Sequence, residues 1–221
     1  MTKLKKNLLA AAVLLAALAV AFGSFLLFAP QDGTTGVDAA PAVDARAVRD
    51  SSHRLTSPPR SELTIVEFLD FECEGCGAVY PTVERLRDEY EDRVTFVARY
   101  FPMPGHRNST TAALAVEAAA QQGAFEAMYT KMFTTQKEWG ESRESKADLF
   151  RTYAAGLGLD MARYDTAVKA PGTLRRVEAD QRDGLGLGVQ GTPTFFVDGI
   201  RIQPPGSYEE FKALIDARLA R

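Results

Sequence analysis

Both cysteines of this chain fall within four residues, Cys73-Glu74-Gly75-Cys76. The apolar run before them, Leu63 to Phe71, reads as a strand, and the run after them, Gly77 to Tyr90, as a helix. Pro81 predicts a kink or a late start in that helix. A thiol pair at a strand-to-helix turn sits where a helix N-terminus stabilises a thiolate. In the chain-entropy model so small a loop adds about 2 kcal/mol of stability, against about 4.7 for a 100-residue loop. Reversible thiol chemistry explains the spacing better than stapling does. One CxxC with two unpaired histidines, His53 and His106, is a poor donor set for a four-ligand zinc site, so no metal is expected.

The N-terminus carries a second signal. Lys3, Lys5 and Lys6 precede an apolar run from Leu8 to Ala29. A helix of that length spans roughly 33 Å, enough for a hydrocarbon core of about 30 Å. The lysines favour a cytoplasmic N-terminus. The expected division is a basic tail at 1–6, a transmembrane helix at 7–29 and a flexible linker at 30–60, with the folded head at 61–221. A secreted product, cleaved near Ala39-Ala40 or Ala45, is the competing reading. In both, the thiols reach an oxidising compartment. The first 29 residues hold three lysines and no acid, so the remainder is more acidic than the formal net charge of −3 suggests. Such a body argues against nucleic acid as a partner.

Within the head, Arg93 to Phe101 reads as a second strand, parallel to the first through a helical crossover. Helical patterns follow at Thr110–Gln122, Ala124–Glu138, Ala147–Gly156, Met161–Val168 and Pro171–Gly184. Phe125, Tyr129, Phe133 and Trp139 read as core of this block. The end turns to β character, with a hairpin from Thr194 to Ile202 about Asp198-Gly199. A last helix, Tyr208 to Leu219, is capped by Ser207, with Glu210 completing a capping box.

The strand Val66-Glu67-Phe68, the Cys73-x-x-Cys76 turn, the Arg99-Tyr100-Phe101-Pro102-Met103-Pro104-Gly105-His106 stretch and Gly191-Thr192-Pro193-Thr194 before the hairpin together resemble DsbA-like thiol:disulfide oxidoreductases of the thioredoxin superfamily. The resemblance covers about residues 61–221. It implies an α/β thioredoxin fold with a helical insertion at about 107–188, a cis peptide before Pro193, and Thr192 offering its backbone to an extended substrate. Cys73 would be the nucleophile and Cys76 the resolving thiol. Glu67, six residues before Cys73, matches a buried acid suited to moving the Cys76 proton; an edge-facing glutamate, or one salt-bridged to a cation such as Arg99, is the plainer reading.

Strong oxidants of the family carry a histidine where Gly75 stands, and Glu74, Glu72 and Asp70 add negative charge. A thiolate near like charge is disfavoured, so Glu74 and Gly75 are expected to tune this couple to a weaker oxidant. The partners implied are reduced or misoxidised secreted proteins and a membrane quinone-linked thiol oxidase, with the chain working as a monomer and needing no organic cofactor. A reductase or isomerase running the same chemistry backwards is the first alternative. A copper chaperone using His106 and Met103 is a remote one. His106 itself, opening a helix from a Pro-Gly-His-Arg loop, reads as a cap or surface residue.

Overall fold

The computed structural model describes residues 46–221. The basic tail, the apolar segment 7–29 and residues 30–45 of the expected linker lie outside the described residues. Among the described residues no helix is long and apolar enough to cross a membrane.

A five-stranded mixed sheet forms the centre, in the order β1-β3-β2-β4-β5. β2 (Leu63–Leu69) and β3 (Val94–Tyr100) run parallel, joined by α1 (Glu74–Glu89). β4 (Thr194–Val197) lies antiparallel on the other side of β2, and β5 (Ile200–Ile202) closes the hairpin. Asp198 and Gly199 both take positive φ, 48° and 79°. That pair of angles is what a two-residue hairpin turn requires. Between β3 and β4 stand α2 (Ser109–Ala120), α3 (Phe125–Thr134), α4 (Gln136–Trp139), α5 (Ala147–Gly156), α6 (Met161–Ala167) and α7 (Pro171–Gly186). α8 (Tyr208–Leu219) ends the fold. Its Ser207 cap accepts from the Glu210 N–H, while the Glu210 carboxylate reaches back one residue further than expected, to the Gly206 N–H.

The alternation of β2 sorts its side chains to two faces. Ile65 and Leu69 belong to the main core, with Cys76, Tyr129 and Trp139. Val66 and Phe68 belong to a smaller cluster with Val97, Phe101, Val189 and Phe196. Each fully buried large apolar side chain contributes roughly 1.5–3 kcal/mol. Trp139 packs edge-on against Phe150 at 4.8 Å, and Phe71, Tyr129 and Phe133 form one aromatic cluster, so these rings of the insertion are core. α7 covers the second face. A Cβ on Gly184 would stand 2.7 Å from the Phe101 ring, so only glycine permits this approach.

Two expectations need correction, and one alternative falls. Residues 46–60 are not a free linker. His53–Arg54 forms β1, antiparallel to β3, and the Leu55 N–H donates to the Phe96 carbonyl at 2.8 Å. The Arg99 guanidinium donates to the carbonyls of Arg46 and Ala47 at 3.0 and 2.6 Å. The first helix does not start late at Pro81. It begins at Glu74 and continues through the proline. Third, Arg99 does not pair with Glu67. Register sets Arg99 beside Phe68, on the face opposite Glu67, where it meets Asp180 at 2.7 Å and Asp183 at 2.6 Å.

Candidate active site

Cys73 is the N-cap residue of α1, with extended backbone angles. This places its sulfur over the first N–H groups of the helix. As a thiol it makes no cap bond to them; its S–H donates instead to the Thr192 carbonyl at 3.2 Å. Once ionised it is held from several sides. The Cys76 thiol contributes most, and the Thr192 hydroxyl and the N–H groups of Cys76 and Gly75 add to it. Together they outweigh burial and bring the Cys73 pKa down to about 5. The Thr192 hydroxyl is buried and otherwise unpartnered, which leaves it free to donate to a thiolate.

Cys76, one helical turn on, is fully buried. Burial chiefly, then the hydrogen bond with Cys73 and the negative charges of Glu67 and Cys73, holds its thiol well above the ordinary range. Neighbouring thiols of opposite tendency are thus fixed by place: one at the mouth of a helix, one beneath it. Both are free thiols in this structure.

The Thr192–Pro193 peptide is cis. Its loop lies against the CxxC at Gly75, where an added Cβ would come within 3.2 Å of Pro193 Cδ and 3.6 Å of Cys73 Sγ. Gly75 is therefore a contact point between the two loops as well as a spacer. A cleft of about 230 Å³ opens along the cis-proline loop, lined by Thr192, Pro193, Arg201, Ile202 and Gln203. That is room for an extended segment to lie along the loop.

Glu67 shares the β2 face that looks toward α1. It is buried, and its Oε1 has no hydrogen-bond partner. Burial, reinforced by the charges of Cys73 and Glu84, raises its pKa to about 8. A carboxyl poised there can hold or release a proton near neutral pH.

The acidic neighbours of the thiols act differently from expectation. Glu74 stands in the first turn of α1, but Asp70 and Glu72 are buried and spent on local bonds. Asp70 accepts the N–H groups of Glu72 and Met103, at 2.9 and 3.0 Å, and faces His106. Glu72 accepts the Asn108 N–H. The groups that weigh most on the Cys73 pKa are the Cys76 thiol, the Thr192 hydroxyl and the N–H groups of Cys76 and Gly75, ahead of all three carboxylates.

Gln136 escaped the reading of the sequence. Its side-chain amide reaches from α4 to the carbonyls of Phe71 and Cys73, 2.8 Å each, and so fixes the turn that presents the nucleophile. A lone glutamine in an aromatic helical stretch gives no sign of this. Among the described residues no group of histidine, cysteine and carboxylate side chains is arranged to hold a metal ion.

The thioredoxin family model matches residues 58–217. A thioredoxin-like oxidoreductase from Silicibacter pomeroyi DSS-3 superposes with a TM-score of 0.66 at 25% identity, over 78% of this chain and 95% of that one. Wolbachia pipientis alpha-DsbA1 superposes with a TM-score of 0.69 at 16% identity, over 78% and 93%. A Na(+)/H(+) antiporter NhaA from Herminiimonas arsenicoxydans is 36% identical over 155 residues, which is 70% of this chain and 23% of the antiporter. The chain thus spans about a quarter of the length of the curated relatives it matches.

Proposed function

The chain belongs to the thioredoxin family, and from that premise we propose that it is a membrane-tethered, extracytoplasmic thiol:disulfide oxidoreductase that passes disulfides to reduced secreted proteins. One observation carries the reading: a half-buried Cys73 thiol with a pKa of about 5 lies 3.2 Å from the carbonyl before a cis-proline, above a buried, protonated Cys76. The ion exchange named for the antiporter relatives is not carried over, because the match spans only about a quarter of their length.

The oxidised pair starts as a Cys73–Cys76 disulfide. A client thiolate attacks the Cys73 sulfur, the S–S bond breaks, and Cys76 leaves with the electron pair. Buried as it is, Cys76 needs a proton, and the buried Glu67, with a pKa of about 8, is the proposed donor. A second client thiolate then attacks the client sulfur of the mixed disulfide. The client disulfide forms and Cys73 leaves as a stabilised thiolate, which makes it a good leaving group. The client has lost two electrons and two protons, and the protein has gained both electrons. Return to the disulfide requires an oxidant, for which a quinone-linked membrane thiol oxidase is the expected partner. The apolar segment 8–29 behind its lysines supports anchorage at the membrane with the head outside.

The full chain, oxidised and mixed with a reduced client, should yield client disulfides in stoichiometric amount, and Cys73→Ser should abolish transfer. Client oxidation at an unchanged rate with Cys73→Ser would overturn the assignment. The equilibrium with glutathione decides direction: a potential near about −120 mV fits a donor, one near about −270 mV a reductant.

A further inference from the structure

The mechanism leaves His106 without a task, yet the structure ties it to the nucleophile. Its Nδ1 lies 2.6 Å from Oδ2 of Asp70, so this nitrogen carries a proton and donates it. Asp70 is buried, and its backbone carbonyl accepts the Cys73 N–H at 3.1 Å. A single side chain therefore links the imidazole to the turn that presents the thiol. Asp70 binds the ring; Glu72, Arg107, Glu141 and Arg143 line with it a cleft of about 190 Å³; and the charge of Cys73 reaches it through space. A buried carboxylate next to a forming thiolate disfavours it, and a protonated imidazole on that carboxylate removes the penalty.

We propose that His106, held by Asp70, is the positioning cation for the Cys73 thiolate, taking up a proton when the pair is reduced and giving it up when the pair is oxidised. It supplies from a separate loop the positive charge that Gly75 cannot. The ordinary tendency of partial burial to lower the His106 pKa is overcome by the Asp70 bond and by the charges of Asp70, Cys73 and Glu72. Because Cys73 is one of those charges, coupling runs both ways: what the imidazolium does for the thiolate, the thiolate does for the imidazolium. The balance closes on the client, whose two thiols release two electrons and two protons. The electrons reduce the disulfide, one proton goes to Cys76, and the other is taken by His106 in the pH range where it titrates.

The inference rests on the exchange reading of Cys73 and Cys76, but its test needs no client. In the full chain the two histidines are followed by NMR against pH, once reduced and once oxidised. The His106 pKa should be higher in the reduced state, by half a unit or more on the order-of-magnitude scale of such couplings; equal values would overturn the proposal. Thiolate absorbance then gives the Cys73 midpoint in variants. His106→Gln should raise it by a like amount, about half a pH unit or more, and His106→Lys, which keeps a charge, should leave it near the unmodified value. An unmoved midpoint in His106→Gln, or equal shifts in both variants, would overturn it too. Should the variants not fold, the two histidine titrations decide alone. Failure of client oxidation with these titrations intact would count against the exchange reading and not against His106.

Discussion

Gln136 holds Cys73 by its backbone: the side-chain amide on α4 donates to the Cys73 carbonyl at 2.8 Å. The same nitrogen serves the Phe71 carbonyl, so the helical insertion locks the loop on which the chemistry depends. Gln136→Ala leaves the buried Phe71 carbonyl without that donor and the Cys73 carbonyl with only the Gly77 N–H. The expected loss is about 1–3 kcal/mol in urea unfolding, together with faster alkylation of Cys73 as its turn loosens. Gly77→Ala should act on the same joint, since its Cβ would fall 1.9 Å from Gln136 Oε1. Unchanged midpoints in both variants would show that the insertion does not hold the turn.

The Cys73 thiolate makes a specific forecast about redox and stability. Its folded pKa is about 5 against an ordinary thiol value of 9.0. Between those values the unfolded reduced chain carries one proton more than the folded one, so stability of the reduced protein rises with pH. The slope is up to about 1.4 kcal/mol per unit. The oxidised protein has no thiol to titrate. The gap between reduced and oxidised unfolding midpoints should therefore widen from about pH 5 to about pH 9 and be lost as pH falls through 5. Denaturant titrations of both forms at pH 5, 6 and 7 measure it. A gap independent of pH would show that the thiolate is not stabilised.

Thr192 contributes to that stabilisation through a buried hydroxyl with no other partner. Thr192→Val keeps the shape and removes the donor. The Cys73 pKa should rise by about one unit, on the scale of a hydrogen bond to a charged group. Iodoacetamide alkylation at pH 5 would then slow about fivefold, and at pH 8 hardly at all. Equal slowing at both pH values would point to altered access instead.

The legible parts of this fold were those with local signals. β2, the hairpin turn at Asp198-Gly199 and the Ser207 cap all follow from residues within a few positions of one another. What was missed depends on distant partners. β1 is two residues long and carries no periodicity; it exists because β3 offers a free edge and Arg99 binds the preceding carbonyls. α1 starts three residues earlier than its sequence suggests because Gly75 and Gly77, poor helix formers, fill spaces that Pro193 and Gln136 leave too small for a side chain. Asp70 and Glu72 read as free negative charge near the thiols, whereas each is bound to groups about 36 residues away, in the His106–Asn108 loop. The salt bridge from Glu67 to Arg99 fails on register alone: paired residues in a parallel ladder share a face, and Arg99 pairs with Phe68.

Arg99 is a test of how firmly residues 46–55 belong to the fold. It is fully buried between Asp180 and Asp183 and also binds two carbonyls of the N-terminal segment. Removing one partner of a buried ion network leaves the others uncompensated, at a typical cost of about 3–5 kcal/mol. Arg99→Met should lower stability on that scale. Under native conditions it should also open the chain to proteases near Arg46 and Arg49. A variant as stable and as protease-resistant as the parent would return this segment to the status of a linker.

Glu67 produces a pH dependence of opposite sign from that of Cys73. Its pKa is raised from 4.5 to about 8, mainly by burial. Between those values the folded protein holds a proton that the unfolded chain has lost, so stability falls as pH rises, by up to about 1.4 kcal/mol per unit, and levels off above about 8. Glu67→Gln carries no such proton. The difference in unfolding free energy between variant and parent should grow in favour of the variant from pH 5 toward pH 8; in the oxidised form, where the Cys73 charge is absent, burial still supplies the larger part of the shift. The variant should also slow release of Cys76 as a leaving thiol, which would show as accumulation of the mixed disulfide's precursor in a rapid-quench experiment near pH 7. A flat stability difference would place the Glu67 carboxylate in contact with solvent, and a flat difference with an unchanged exchange rate would remove it from the proton path altogether.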